Sequence, residues 1–221
     1  MPKPSTIAID GPVASGKSTI GRLLARRLGY RFADTGAMYR ALTWKAIRLN
    51  INLEDKEALC RLAESTEIEL SPTGDCGVVV NGQDVTPEVQ SVEVETGVSL
   101  VAKVAGVREV LVREQQVLAQ GGKIVMAGRD IGTTVLPRAE LKVYLGASIE
   151  ERARRRCREL VERGERADYQ AILADLIRRD EIDSKRAISP LQLASDARLI
   201  DTDGLSPEQV LAEILGLIGE S

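Results

Sequence analysis

Eight consecutive residues, Gly11-Pro12-Val13-Ala14-Ser15-Gly16-Lys17-Ser18, constrain this chain more than any other stretch. They follow a short apolar run, Ile7-Ala8-Ile9, that ends in Asp10. They precede a helical pattern with Ile20, Leu23, Leu24 and Leu28 on one face and Gly29 as its stop. A G-x-x-x-x-G-K-S loop between a strand and a helix turns successive backbone amides inward at a helix N-terminus, where they cradle phosphate oxygens. Residues Gly11, Pro12, Val13, Ala14, Ser15, Gly16, Lys17, Ser18 and Thr19 are therefore the expected ATP-binding segment. Lys17 would reach the β- and γ-phosphates, and the Ser18 hydroxyl would ligate Mg2+. The alternative is a glycine-rich turn with an incidental lysine, and eight matched positions with correct flanks argue against it.

The remaining chain alternates strand and helix. Phe32-Ala33, Ile124-Val125-Met126-Ala127, Leu141-Lys142-Val143-Tyr144-Leu145 and Leu199-Ile200 read as further strands. Helices are expected at Met38–Leu49, over 54–66, and from Pro87 to about Gln120 with an interruption near Gly106. Ser148-x-x-Glu151 reads as a capping box opening an arginine-rich helix that Gly164 ends. A helix from about Tyr169 to Arg186 is stopped by Ser189-Pro190, and Ser206-Pro207-Glu208-Gln209 caps a last one. Such alternation predicts an α/β fold with a parallel sheet flanked by helices. The stretch 67–85 breaks it: Val78-Val79-Val80 meets Asn81-Gly82, a hairpin signal, and reads as an insertion.

Composition excludes several chemistries. None of the 221 residues is histidine, so there is no imidazole nucleophile system, acid, base or metal ligand. Cys60, Cys76 and Cys157 are few and scattered, which predicts reduced thiols rather than a zinc site or a disulfide framework. Met1–Ser5 leads into a strand without a signal-peptide apolar region, and no apolar run approaches a membrane span. A cytoplasmic protein is the expectation, with monomer as the default state. Basic residues are mostly arginine, but the net charge is -3 and only six residues are aromatic. A nucleic-acid partner is not expected; a few phosphates are.

Three further constellations bear on the reaction. Asp34-Thr35-Gly36-Ala37-Met38-Tyr39-Arg40 puts Arg40 in the first turn of a helix, where an anion would sit. Arg129 follows a buried strand at its carboxyl end, the ligand side of an open α/β sheet. Arg179, Asp183 and Arg186 share a stripe set to one side of the apolar face Tyr169, Ile172, Leu173, Leu176 and Ile177. As exposed ion pairs they would contribute only about 0.3–0.5 kcal/mol each. Exposed helix arginines and surface salt bridges remain the plain alternatives for all three. No guanine-reading N-K-x-D segment occurs, so a kinase of a small acceptor fits the loop best.

These segments together, G-P-x-x-S-G-K-S, D-T-G-A-M-Y-R, V-R-E-x-L, G-R-D-I-G-T and R-D-x-x-D-S-K-R-x-x-x-P-L in this order over residues 7–191, resemble bacterial cytidylate kinase. The resemblance implies transfer of the ATP γ-phosphoryl group to CMP or dCMP with Mg2+. It implies a five-stranded parallel nucleoside-monophosphate-kinase core (1–35 and 104–221), a monophosphate-binding insert (36–103) with a small antiparallel element, and a short lid (148–168). It assigns Arg40, Arg129 and Arg186 to the acceptor phosphate and Arg179 and Asp183 to the sugar. Thr35, Gly36 and Tyr39 are further expected substrate-binding residues, and Lys17, Arg129 and Arg186 the expected catalytic ones. Ser99, Arg108 and Asp130 would read the base. Arg152 and Arg156, on the helix expected to bury Ile149, Ala153, Cys157, Leu160 and Val161, would close over the ATP phosphates. Their alternative partners are Glu150, Glu151, Glu159 and Glu162.

A carboxylate facing N4 of cytosine and a guanidinium facing N3 and O2 are complementary. Asp130 could instead help hold Mg2+ through water. Two other functions stay open at this point: a kinase of a hydroxyl acceptor such as shikimate or a nucleoside, with Asp34 as base, and a non-catalytic nucleotide-binding or RNA-binding module.

Overall fold

A computed structural model describes residues 3–71 and 77–219; Cys76 lies outside them. Five parallel strands, β1 (Thr6–Asp10), β2 (Arg31–Asp34), β6 (Ile124–Gly128), β7 (Leu141–Gly146) and β8 (Arg198–Asp201), form one sheet in the order β2-β6-β1-β7-β8. The order puts β1 at the centre, so the loop that leaves it opens at mid-sheet. Side chains alternate between the two faces. Ile7, Ile9, Val125, Ala127, Val143 and Leu145 pack under α1 (Lys17–Leu28) and α8 (Pro207–Leu217). Ala8, Ala33, Ile124 and Met126 face the other way, against Ile131, Val135 and Ala119.

A second core gathers α2 (Thr35–Arg48), α3 (Lys56–Glu64), α4 (Val92–Ala102) and α5 (Ala105–Leu118) around a small antiparallel sheet. That sheet is β3 (Ile68–Leu70), β4 (Val78–Val80) and β5 (Gln83–Asp84). Asn81 and Gly82 take φ of 50° and 78°, the two left-handed residues that a tight hairpin turn needs. The helical stretch after Pro87 breaks near Gly106 as expected, at Lys103-Val104, and Gly106 itself lies inside α5. Gly106 is there for contact: a Cβ would collide with Cys60 Sγ on α3.

Other local expectations shift as well. Helix α2 starts at Thr35 rather than Met38, so Arg40 sits in its second turn. Ser148 caps α6 (Ile149–Glu162) by accepting from the Glu151 amide at 3.3 Å, but the box is not closed. The Glu151 carboxylate turns outward to Arg154 and Arg155, and the Ser148 amide donates to Asp203 instead. The Ser206–Gln209 box on α8 is complete. Val161 on α6 and Ile177 on α7 (Tyr169–Lys185) are exposed, against the expected burial. What α7 buries is Leu176 together with Arg179 and Asp183, because that stripe faces the cavity described next. Among the described residues no helix is long and apolar enough to cross a membrane.

Candidate active site

The carboxyl ends of β1, β2 and β6 open onto a cavity of about 500 Å³. Val13, Ala14, Gly16, Lys17, Ser18 and Thr19 line it, whereas Gly11, Pro12 and Ser15 of the expected ATP-binding segment do not. Nine lysine and arginine side chains line the cavity against five carboxylates, a surplus suited to polyanions. Lys17 is buried and donates to Pro12 O at 2.5 Å and to Ser15 Oγ at 3.4 Å. Burial, helped by the positive charge of Arg129, pushes its ammonium well below the usual lysine range. Phosphate oxygens at this loop would meet a poorly solvated cation.

Across the cavity, three guanidiniums are each held by a carboxylate from a different element. Arg40 pairs with Asp34 at 3.3 Å, Arg129 with Asp183 at 2.9 Å and Arg186 with Asp130 at 3.3 Å. Arg186 also donates Nε to Ser189 O at 2.5 Å, so it ends α7 as a cap rather than a helical residue. The pairs preorganise the three arginines, and all three line the cavity. Asp34 binds twice: its Oδ2 also accepts from Ser18 Oγ at 3.0 Å. Burial alone would raise this carboxyl, yet Arg40, the Ser18 hydroxyl and Lys17 together hold it below its ordinary value.

Deeper in, Arg108 Nη2 meets Asp130 Oδ2 at 2.5 Å with both side chains almost fully buried. Arg108 also stacks over the Tyr39 ring, 5.5 Å from its centre, and buried Ser99 lies beside them on the cavity wall. Tyr39 Oη, Arg108 Nε, Gln115 Nε2 and Arg179 Nε are buried without a hydrogen-bond partner. Burial pushes the Tyr39 phenol up to about 12, so it stays a neutral donor. Thr35 spends its hydroxyl on Ala127 O at 2.9 Å, tying the start of α2 to the end of β6. Gly36 lines the cavity beside it.

Of the four glutamates expected as partners of Arg152 and Arg156, only Glu159 pairs with one of them; the other partners come from outside the helix. Arg156 lines the cavity and pairs with Glu95 on α4 and with Glu159 at 2.7 Å. Arg152 does not line it. It donates to Ala147 O and Val13 O, both at 3.2 Å, and to both oxygens of Asp180. Sequence reasoning missed Asp180, Glu95, Gln115 and Asp10. Asp10 carried a usable signal, an acid at the carboxyl end of a buried strand; Glu95 carried none.

The model of the family described as cytidylate kinase matches residues 7–220. The cytidylate kinase of Geobacillus sp. (strain WCH70) is 50% identical over 215 residues, 97% of this chain and 96% of its own. That of Bacillus subtilis (strain 168) is 48% identical over 216 residues, again 97% and 96%. Among solved structures, a gluconokinase from Sinorhizobium meliloti 1021 superposes with a TM-score of 0.53 at 14% identity, covering 99% of this chain and 94% of its own. A shikimate kinase from Bacteroides thetaiotaomicron gives 0.51 at 14% identity, covering 97% and 98%. At that identity the two structures bear on the fold alone, that of a phosphate-loop kinase. The full-length relatives decide between the phosphate-loop classes, and with the arginine-lined cavity opposite the loop they agree that this chain belongs to the cytidylate kinase family.

Proposed function

We propose that the chain transfers the γ-phosphoryl group of ATP to CMP or dCMP, giving ADP and CDP or dCDP. The observation that carries this reading is one cavity with the Lys17 loop on one side and Arg40, Arg129 and Arg186 on the other. Two phosphorylated substrates can meet there without mutual repulsion blocking their approach. An oxygen of the acceptor phosphate attacks the γ-phosphorus, and the bond to the ADP oxygen breaks with its electron pair leaving on ADP. The acceptor is already anionic at pH 7, so no imidazole or other strong base is required. What the protein supplies is placement and neutralisation: arginines fixed by carboxylates lose little entropy when phosphate joins them.

The base end follows from Asp130 and Arg108. A carboxylate toward N4 and a guanidinium toward N3 and O2 match cytosine. Uracil would set a carbonyl oxygen against the carboxylate and leave it unpaired. The double engagement of Asp130 by Arg108 and Arg186 supports base reading over a metal role. Arg179, with its unpartnered buried Nε, and Asp183 fit the sugar. Residues 36–103 act as the acceptor-binding insert on the 1–35 and 104–221 core, and 148–168 act as the lid.

The metal follows from chemistry too. Ser18 Oγ and Asp34 Oδ2, 3.0 Å apart, offer hard oxygen donors, and the described residues hold no cluster of three or more acidic, cysteine or histidine ligands. Mg2+ is typically held by one or two such groups plus substrate phosphates, and when bound it neutralises the charge on the β- and γ-phosphates. A coupled assay of ADP release with CMP, dCMP, UMP, AMP and shikimate tests the reading. Rapid release with CMP and dCMP is the expected result; release with shikimate but not CMP overturns it.

A further inference from the structure

Asp130 precedes the single wide helical turn Ile131–Val135, and its carbonyl accepts from Thr134 N at 2.8 Å and Val135 N at 3.2 Å. An aspartate in that position ordinarily turns its carboxylate onto the amides two or three residues on, here Gly132 and Thr133. Here it does not. Both carboxylate oxygens are used elsewhere, Oδ2 by Arg108 and Oδ1 by Arg186. The Gly132 amide that it leaves, with the Ile131 amide before it, goes to a residue from another strand. Asp10 Oδ1 accepts from Ile131 N and Asp10 Oδ2 from Gly132 N, each at 2.7 Å and each buried. The parallel register explains the reach, because Asp10 lies opposite Gly128 where the β1–β6 ladder ends.

We propose that Asp10 is a positioning residue for base selection: by capping the Ile131 and Gly132 amides from β1, it leaves the Asp130 carboxylate free to face Arg108, Arg186 and the cytosine ring. This rests on the base-reading role of Asp130 given above. Remove the Asp10 carboxylate and two buried donors lose their acceptor, a penalty that the fold relieves by recruiting the nearest carboxylate. That carboxylate is Asp130, two residues before Gly132 and placed to cap its amide. Its rotation would strip Arg108 and Arg186 of the negative charge that lies between them and turn the cytosine acceptor away from the base. Asp10 itself touches no substrate in this scheme, since it does not line the cavity whereas Asp130 does. Burial raises its carboxyl toward neutrality, with the like charge of Asp130 adding to the effect. An ionised carboxylate in such surroundings needs the two amides as much as they need it.

The test compares D10A, D130A and the D10A/D130A double variant in kcat/KM for CMP and for UMP, with the affinity for a fluorescent ATP analogue and the thermal midpoint measured beside them. D130A is expected to lower the CMP-to-UMP ratio by about tenfold or more. D10A should lower the ratio by a comparable factor while the ATP-analogue Kd stays within about threefold of wild type. The double variant should discriminate no worse than D130A, because both changes remove one function. A wild-type ratio in D10A, or losses that multiply in the double variant, overturns the proposal, as does an equal fall for CMP and UMP. If D130A itself keeps the wild-type ratio, the base-reading assignment is what fails. Should D10A not fold, D10N keeps one acceptor and should show a smaller fall in the same ratio; D10N with an unchanged ratio again overturns it.

Discussion

Arg152 and Asp180 meet in a two-pronged ion pair, Nη1 to Oδ1 at 3.2 Å and Nη2 to Oδ2 at 2.6 Å, that joins α6 to α7 directly behind the phosphate loop. Arg152 is 5% exposed and also holds the carbonyl of Val13 within that loop. Removing either partner alone leaves a buried or half-buried charge uncompensated. D180A and R152A should each lower stability by about 1–3 kcal/mol, less than a fully enclosed pair because Asp180 keeps some solvent. A double-mutant cycle in urea should return a coupling energy above about 1 kcal/mol. Additive losses would mean that the pair is incidental.

Lys17 is the one ammonium within the loop, and its buried setting makes it difficult to replace. K17M should cost at least about a hundredfold in kcat, the scale of losing a single transition-state donor. Near wild-type CDP formation by this variant contradicts the phosphate-loop assignment.

Arg40 pairs with Asp34 while facing the acceptor side of the cavity. R40M should raise the KM for CMP by about tenfold or more, the scale of removing one charge-assisted hydrogen bond to phosphate. The affinity for ATP should change little. If the affinity for ATP falls and the KM for CMP is unmoved, Arg40 belongs to the donor side instead.

The Asp10 carboxyl is pushed up to about 6 from 3.8, first by burial. Between those values the folded chain holds a proton that the unfolded chain has released. The stability from this group is therefore fully present below pH 3.8 and lost as pH rises through about 6. Between pH 4 and 7 wild type should lose up to about 3 kcal/mol relative to D10N, which has no such titration. Urea unfolding of both proteins at several pH values measures the difference; parallel curves would contradict it.

Gly106 packs against Cys60 where α5 crosses α3. G106A should destabilise by about 1–3 kcal/mol through overpacking, although alanine favours helix. Partial recovery in C60A/G106A, read by thermal melting, would assign the cost to that contact. No change in the single variant would deny it.

The sequence by itself determined the parts whose causes are local. The phosphate loop, the Asn81-Gly82 turn, the Ser206–Gln209 cap and the strand-helix alternation all appear where their residues predict, because backbone sterics and side-chain periodicity act within a few positions. Arg40, Arg129, Arg179 and Arg186 were legible for a related reason, since they lie near a helix start, at a strand end or on a helix stripe that an α/β sheet turns toward its ligand edge. Arg108 and Arg156 were reached only through the family resemblance. Tertiary structure alone decided how charges are paired. Glu95 meets Arg156 across 61 positions, Asp180 meets Arg152 across 28, and Asp10 meets Ile131 across 121. No periodicity links such residues. Long polar side chains satisfy whichever buried partner the topology brings near, and the order β2-β6-β1 is what brought Asp10 beside the turn that follows Asp130.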